Sequence, residues 1–323
     1  MNRTEYDLDR ALHIFHPIGQ PKIIDAQQAG KEFAYYTTAD VAVSILRNKT
    51  VWMRNAATMN DYMEIEYGVN FLLEILGGEE GQQLESALDG YFPKLWSNVF
   101  SNFKSLIPGI RRDTFITCLS EHLPQERELG RLSMWRAYGG KDGVALIIDA
   151  TAIVSGRDDG VGAYSSPVEY MDEQNFKNSV LLVAERIRQD QNFISSIPGP
   201  YLERHLKTML LLAILCVKHP GFKEEREWRV FITKFLSVSD RLKTDIEIVR
   251  GTPQHVVKIP IGKEVDGKSN RKFSEIVKGV IIGPCAFPEI AARAFRELME
   301  QAGFSASEAR QRVTISGIPL RHL

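Results

Sequence analysis

Residues 218–232 read KHPGFKEEREWRVFI, and the fold turns on how this stretch is read. His219, Pro220 and Gly221 predict a turn, after which polar and apolar residues alternate with period two, the pattern of a half-buried strand. On such a strand Glu225, Glu227 and Arg229 share one face, while Arg226, Trp228, Val230 and Ile232 share the other. Two readings of the charged face stand side by side. A solvated ladder of mixed charge on an outer sheet face is the common one. The other is a carboxylate pair converging on a ligand, one Glu handling a proton or hydroxyl and the other opposing a developing positive charge.

The whole chain sets the bounds. Its 323 residues can bury a sizeable core, and 44% hydrophobic with 25% charged residues is the composition of an ordinary globular protein. A net charge of −1 advertises neither nucleic acid nor an anionic membrane as a partner. Cys118, Cys216 and Cys285 are odd in number and set among apolar neighbours, which predicts reduced core residues rather than disulfides or a zinc site. The polar opening MNRTEYDLDR lacks the apolar core of a signal peptide, and the apolar run at 209–217 is far short of the roughly 20 residues of a membrane span. A cytoplasmic protein with no membrane contact is expected.

Working outward from the opening stretch, residues 1–32 read as an N-terminal arm broken by Pro17, Gly19, Pro21 and Gly30. Strands are expected at 33–37, 50–53, 114–119, 143–149, 168–171, 255–260, 277–282 and 313–316. The two at 114–119 and 143–149 are close enough in sequence to pair antiparallel. Helical insertions fall at about 61–106 and 173–217, and a helix at 288–302 makes a strand–helix–strand ending. This predicts an α+β class with a mixed or split β-sheet core, the arm at 1–32, and one domain over 33–323.

Most familiar site motifs are missing. GxxxxGK[ST], GxGxxG after a strand and GxSxG are all absent, and His13 and His16 have no acidic or cysteine partner at metal-ligand spacing, so no metal is expected. What remains lies at strand ends and loop starts: Tyr35, Tyr36, Thr37 and Thr38; Asn60, Asp61 and Glu64; Ser120; Trp135, Arg136 and Tyr138. Each alone has a structural explanation, Asp61 as a helix cap, Trp135 as core and Tyr138 as a packed ring with a wet hydroxyl.

Together, YYTT at 35–38, MNDYME at 59–64, FITCLSE at 115–121, MWRAYGGKDGVALIID at 134–149 and KEEREWRVF at 223–231 resemble a bacterial family known as domain of unknown function 2971. The resemblance spans most of 33–285. That family is in turn similar, more distantly, to ADP-ribosyltransferases, which bind NAD in the cleft of a split mixed sheet. By that likeness Tyr35 or Tyr36 falls at the early-strand position, Ser120 at the middle one, and Glu225 with Glu227 at the late Glu-x-Glu. Two departures are visible: no Ser-Thr-Ser triplet stands at 117–120, and a Tyr replaces the early Arg or His.

The resemblance implies NAD as a substrate without a metal, a protein or nucleic-acid acceptor, and a toxin or antiphage-defence role. Glu227 would oppose the charge of an oxocarbenium-like ribose and Glu225 would orient the nucleophile. Tyr36 or Trp135 would stack on nicotinamide, and Arg229 or Arg136 would hold a pyrophosphate oxygen, with Tyr35, Thr37, Asn60 and Tyr138 completing the cofactor site. Two other readings remain: a non-catalytic sensor or interaction module, and a metal-dependent nuclease using Asp61, Glu64, Glu225 and Glu227.

Overall fold

A computed structural model describes residues 6–59, 65–154, 163–234, 242–249, 251–266 and 271–320. Among these residues the strands are β1 (Glu32–Thr38), β2 (Thr50–Asn55), β3 (Thr114–His122), β4 (Gly143–Asp149), β5 (Tyr164–Pro167), β6 (Glu169–Tyr170), β7 (Val217–Lys218), β8 (Glu227–Thr233), β9 (Lys243–Val249), β10 (Thr252–Pro260), β11 (Val277–Ile282) and β12 (Val313–Ile315). The class is α+β, with a mixed, open sheet and helices around it. The chain forms two compact units that interleave in sequence: 1–25, 56–114 and 166–223 make the first, and 26–55, 115–165 and 224–323 the second.

The first unit is helical. Helices Glu66–Ile75, Glu79–Asp89, Leu95–Asp113, Glu173–Gln189 and Gly199–Leu215 turn stripes of apolar residues inward, including Leu72, Leu84, Trp96, Phe103, Val183 and Leu210. A side chain at Gly68 would meet the carbonyls of Ala213 and Ile214 at 2.5 Å, so glycine is what lets two of these helices touch backbone to backbone. The segment expected as an N-terminal arm is helical as well, over Leu8–Phe15 and Gly19–Gln28. Asp7 caps the former by accepting from the Arg10 amide, and Ala11, Ile14 and Phe15 are buried. Pro17 and Gly19 lie between and at the start of these helices, where such residues interrupt little.

The second unit is built on a ten-stranded sheet whose main path runs β12-β11-β4-β1-β3-β2-β10-β9, with β8 added on β3 and β5 on β8. Strand β4 is buried over Gly143–Ile148, as its unbroken apolar run predicts. Strands β3 and β4 are not neighbours, because β1 enters between them and pairs antiparallel with both. Nearness in sequence makes antiparallel pairing of these two strands the expectation; β1, earlier in the chain, takes the position between them instead. The expected strand–helix–strand ending is present, with β11 and β12 parallel and helix Pro288–Gln301 between them in the chain.

Strand β3 is the branching point. Strand β1 stays paired to β4 along Glu32–Thr38, yet it pairs with β3 only from Glu32↔His122 to Ala34↔Ser120. Further back along β3, Ile116 and Phe115 pair with Arg54 and Asn55 of β2. Three strands thus share the two edges of β3, and the sheet forks beyond Ser120. Residues at this fork are where separate branches bring side chains together.

Candidate functional site

The N-terminal end of β8 lies beside the C-terminal end of β3, and a buried arginine joins them. Arg131 is 7% exposed. It grips the Glu126 carboxylate through Nε to Oε1 at 2.8 Å and Nη2 to Oε2 at 2.9 Å. Its Nη1 donates to Ser120 Oγ at 2.7 Å and to the carbonyls of Glu224 and Glu225 at 2.8 and 3.0 Å, and Nη2 donates to the Glu121 carbonyl at 2.8 Å. The Ser120 hydroxyl in turn donates a hydrogen bond to the Glu225 carbonyl. Burial works against the Glu126 charge, but hydrogen bonds from Arg131 and the Leu123 amide, with the nearby Arg226, hold its carboxyl below the ordinary range.

This clasp explains why the expected strand face is broken. Strand β8 begins only at Glu227, Glu225 ends a 3₁₀ turn over Pro220–Glu225, and Arg226 takes a left-handed backbone at φ +45°. The left-handed residue resets the alternation, so Glu225 does not continue the face of Glu227 and Arg229. Those two do share it: Arg229 Nε donates to Glu227 Oε1 at 2.8 Å, with Arg229 0% and Glu227 7% exposed. A solvated charge ladder is therefore not what β8 carries.

On the Arg131 side stand several of the expected residues. The Tyr36 hydroxyl accepts from the Arg131 amide at 2.8 Å, and burial pushes its phenol up to about 12 against the pull of that N–H. Its ring meets Trp135 edge-on at 4.8 Å. The segment Trp135–Gly139 is a wide π-helical turn, and at its far side the Tyr138 hydroxyl donates to Glu225 Oε1 at 3.2 Å. Ser120 and the Glu225 carbonyl thus meet the Arg131 guanidinium, Tyr36 meets its main chain, and Trp135 and Tyr138 join the group through Tyr36 and the Glu225 carboxylate.

Trp135 itself is enclosed. Its Nε1 donates to the Leu129 carbonyl at 2.9 Å, and a Cβ added at Gly130, Gly143 or Gly283 would lie 2.7, 3.2 or 2.8 Å from the indole, with Gly139 at 3.4 Å. Four glycines make the space that the ring fills. The tail residues Ile318 and Leu320 pack against the same cluster.

The remaining expected residues lie elsewhere. Tyr35 and Thr37 alternate onto the opposite face of β1 from Tyr36, where Tyr35 bonds the Thr117 side chain and burial raises its phenol. Arg136 is exposed. Asn60, like Asp61 and Glu64, lies outside the described residues. Among the described residues no group of three or more His, Cys, Asp or Glu side chains is arranged to hold a metal, and no helix is long and apolar enough to cross a membrane.

Arg131, Glu126 and Arg226 were not singled out by sequence. The charged loop 125–128 between β3 and Trp135 reads as solvent-facing, and the available signal was Gly130, a turn residue at φ +66° that aims Arg131 back at the strand. His122, at the end of β3, is buried, neither ring nitrogen has a hydrogen-bond partner among the described residues, and burial lowers its pKa.

Residues 134–230 match a family model described as Protein of unknown function (DUF2971). The matched segment runs through Trp135, Tyr138, Glu225, Glu227 and Arg229, and it supports the likeness to that family over this part of the chain. Comparison with curated proteins and with solved structures gives no match.

Proposed function

We propose that the second unit is an NAD-using enzyme of the ADP-ribosyltransferase kind, which cleaves the nicotinamide bond and passes ADP-ribose to a protein or nucleic-acid acceptor, or to water. The observation that supports it most is the fork at β3, which gathers an aromatic pair, a serine and a carboxylate at the point where β1 parts from β3 while staying paired to β4. In such a reaction the C–N bond breaks with its electron pair going to nicotinamide, and a carboxylate beside the ribose opposes the charge left on the sugar. The nucleophile then bonds that carbon and releases its proton to solvent.

Glu227 has its carboxylate engaged by buried Arg229, so we assign the ribose-facing role to Glu225, which is half-buried and oriented by Tyr138. Tyr138 takes the stacking role in place of Trp135, whose ring is walled in by glycine. Glu227 and Arg229 support the strand from beneath. The non-catalytic reading draws on one observation of its own: the six oxygens held by Arg131 make a cluster that braces loops whether or not a ligand comes.

Purified protein incubated with NAD and a cell lysate, with and without EDTA, separates these readings through free nicotinamide and labelled conjugates. Release is expected to be EDTA-insensitive and to fall about 100-fold or more in Glu225→Gln, on the scale of removing one oriented charge-stabilising group. A wild-type protein that releases no nicotinamide would sink the proposal, and a full rate in Glu225→Gln would return the role to Glu227.

A further inference from the structure

We propose that Arg131 is a positioning residue for Glu225, setting the direction of its carboxylate through the main chain rather than by touching it. The inference rests on the functional reading above, but its geometry is independent of it. One nitrogen, Nη1, holds the carbonyls of both Glu224 and Glu225, at 2.8 and 3.0 Å. Those carbonyls belong to the two peptide planes that meet at the Glu225 Cα. Fixing both planes fixes the direction in which Cβ leaves the backbone.

Three more contacts hold the same turn. Ser120 accepts from Arg131 and donates to the Glu225 carbonyl. The Glu121 amide of β3 donates to the Arg226 carbonyl at 2.9 Å, and the Arg226 side chain reaches Glu126 Oε1 at 3.2 Å, so one carboxylate binds both arginines. Arg226 keeps its left-handed backbone, unusual for a long side chain, inside this frame. Without the clasp the residue is free to return to the ordinary region, and Glu225 swings with it.

A guanidinium is needed for this geometry. Lysine keeps the charge but is a point donor on a flexible stem, and it cannot serve three carbonyls, a serine and a bidentate carboxylate together. Arg131→Lys is therefore expected to fold and yet to misaim the carboxylate. A displacement of about 1 Å at a reacting group costs up to about 100-fold in rate, so kcat for nicotinamide release should fall tenfold or more with little change in KM for NAD. Arg226→Gly added to Arg131→Lys should restore part of that loss, because glycine adopts the left-handed turn unaided.

The structural arm of the test is amide exchange at Glu121, whose N–H bridges to Arg226. In Arg131→Lys this amide should exchange at least about tenfold faster, while the Leu146 amide of the central strand β4 stays as slow as in the wild type. Ser120→Ala provides a milder variant with a smaller shift in the same direction if Arg131→Lys does not fold. If nicotinamide release is absent from the wild type, the functional reading fails and Glu121 exchange alone judges the clasp. Unchanged Glu121 protection in the folded variant, or an unchanged kcat where release is measurable, overturns the positioning role.

Discussion

Strands β8 and β9 both alternate charged and apolar residues, and they live in opposite surroundings. All seven residues of β8, EWRVFIT, are buried, whereas in β9, KTDIEIV, Ile246 and Ile248 are 61% and 72% exposed. Strand β8 lies between β3 and β5, while β9 ends the main path and, among the described residues, pairs with β10. A charge in β8 must be compensated within the protein, as Glu227 is by Arg229. In β9 the carboxylates of Asp245 and Glu247 meet Lys258 of β10 at 2.7 and 2.6 Å in contact with solvent, where a pair contributes little. Alternation therefore reports a strand's period and leaves open which of its faces is wet.

The sharpest way to break this comparison is to remove the buried cation. Arg229→Met leaves Glu227 charged in the interior and is expected to cost about 3–5 kcal/mol in denaturant unfolding, with much of that recovered in the double variant Glu227→Leu/Arg229→Met. A single-variant loss below about 1 kcal/mol would mean that β8 is not the dry strand described. The Arg131–Glu126 clasp is a second buried pair and gives a pH test. Glu126 has its folded-state pKa lowered from an ordinary 4.5, so the stability it contributes is present above that value and is lost as pH falls through the folded one. Glu126→Gln should therefore be less stable than the wild type at neutral pH and should converge on it in acid, by unfolding measured across pH 7 to 3. The smallest effect belongs to β9, where Ile246→Lys should shift stability by no more than about 0.5 kcal/mol. A large loss there would reveal that this edge is covered in solution.

Much of the fold was legible. The apolar run 143–149, the aromatic strand at 33–37 and the 3.6-residue stripe through Trp96, Val99 and Phe103 all declare local structure by composition and period. Strand β9 did not, since KTDIEIV carries charge at an edge that no core demands. The helix Ala306–Arg312 was missed as well, though Ser305 and Glu308 form a capping box at its start. The candidate site was legible as residue types and not as geometry. Arg131 finds its partners among main-chain carbonyls some ninety residues away, which leave no side-chain pattern. Nor does an arginine at 226 announce a left-handed turn, and that turn is what parts Glu225 from Glu227.

The enclosure of Trp135 has a consequence for how the second unit assembles. Three of its walls, Gly130, Gly139 and Gly143, lie within eight residues of the indole and come together early in any folding order. The fourth, Gly283, follows β11 and is hydrogen-bonded through its amide to the Gly143 carbonyl at 2.8 Å. Closing so distant a contact is slow relative to forming the local ones. The indole therefore stays open on one side until β11 docks. The emission of this tryptophan, measured in a variant whose other tryptophans are replaced, would time the moment at which the last wall arrives.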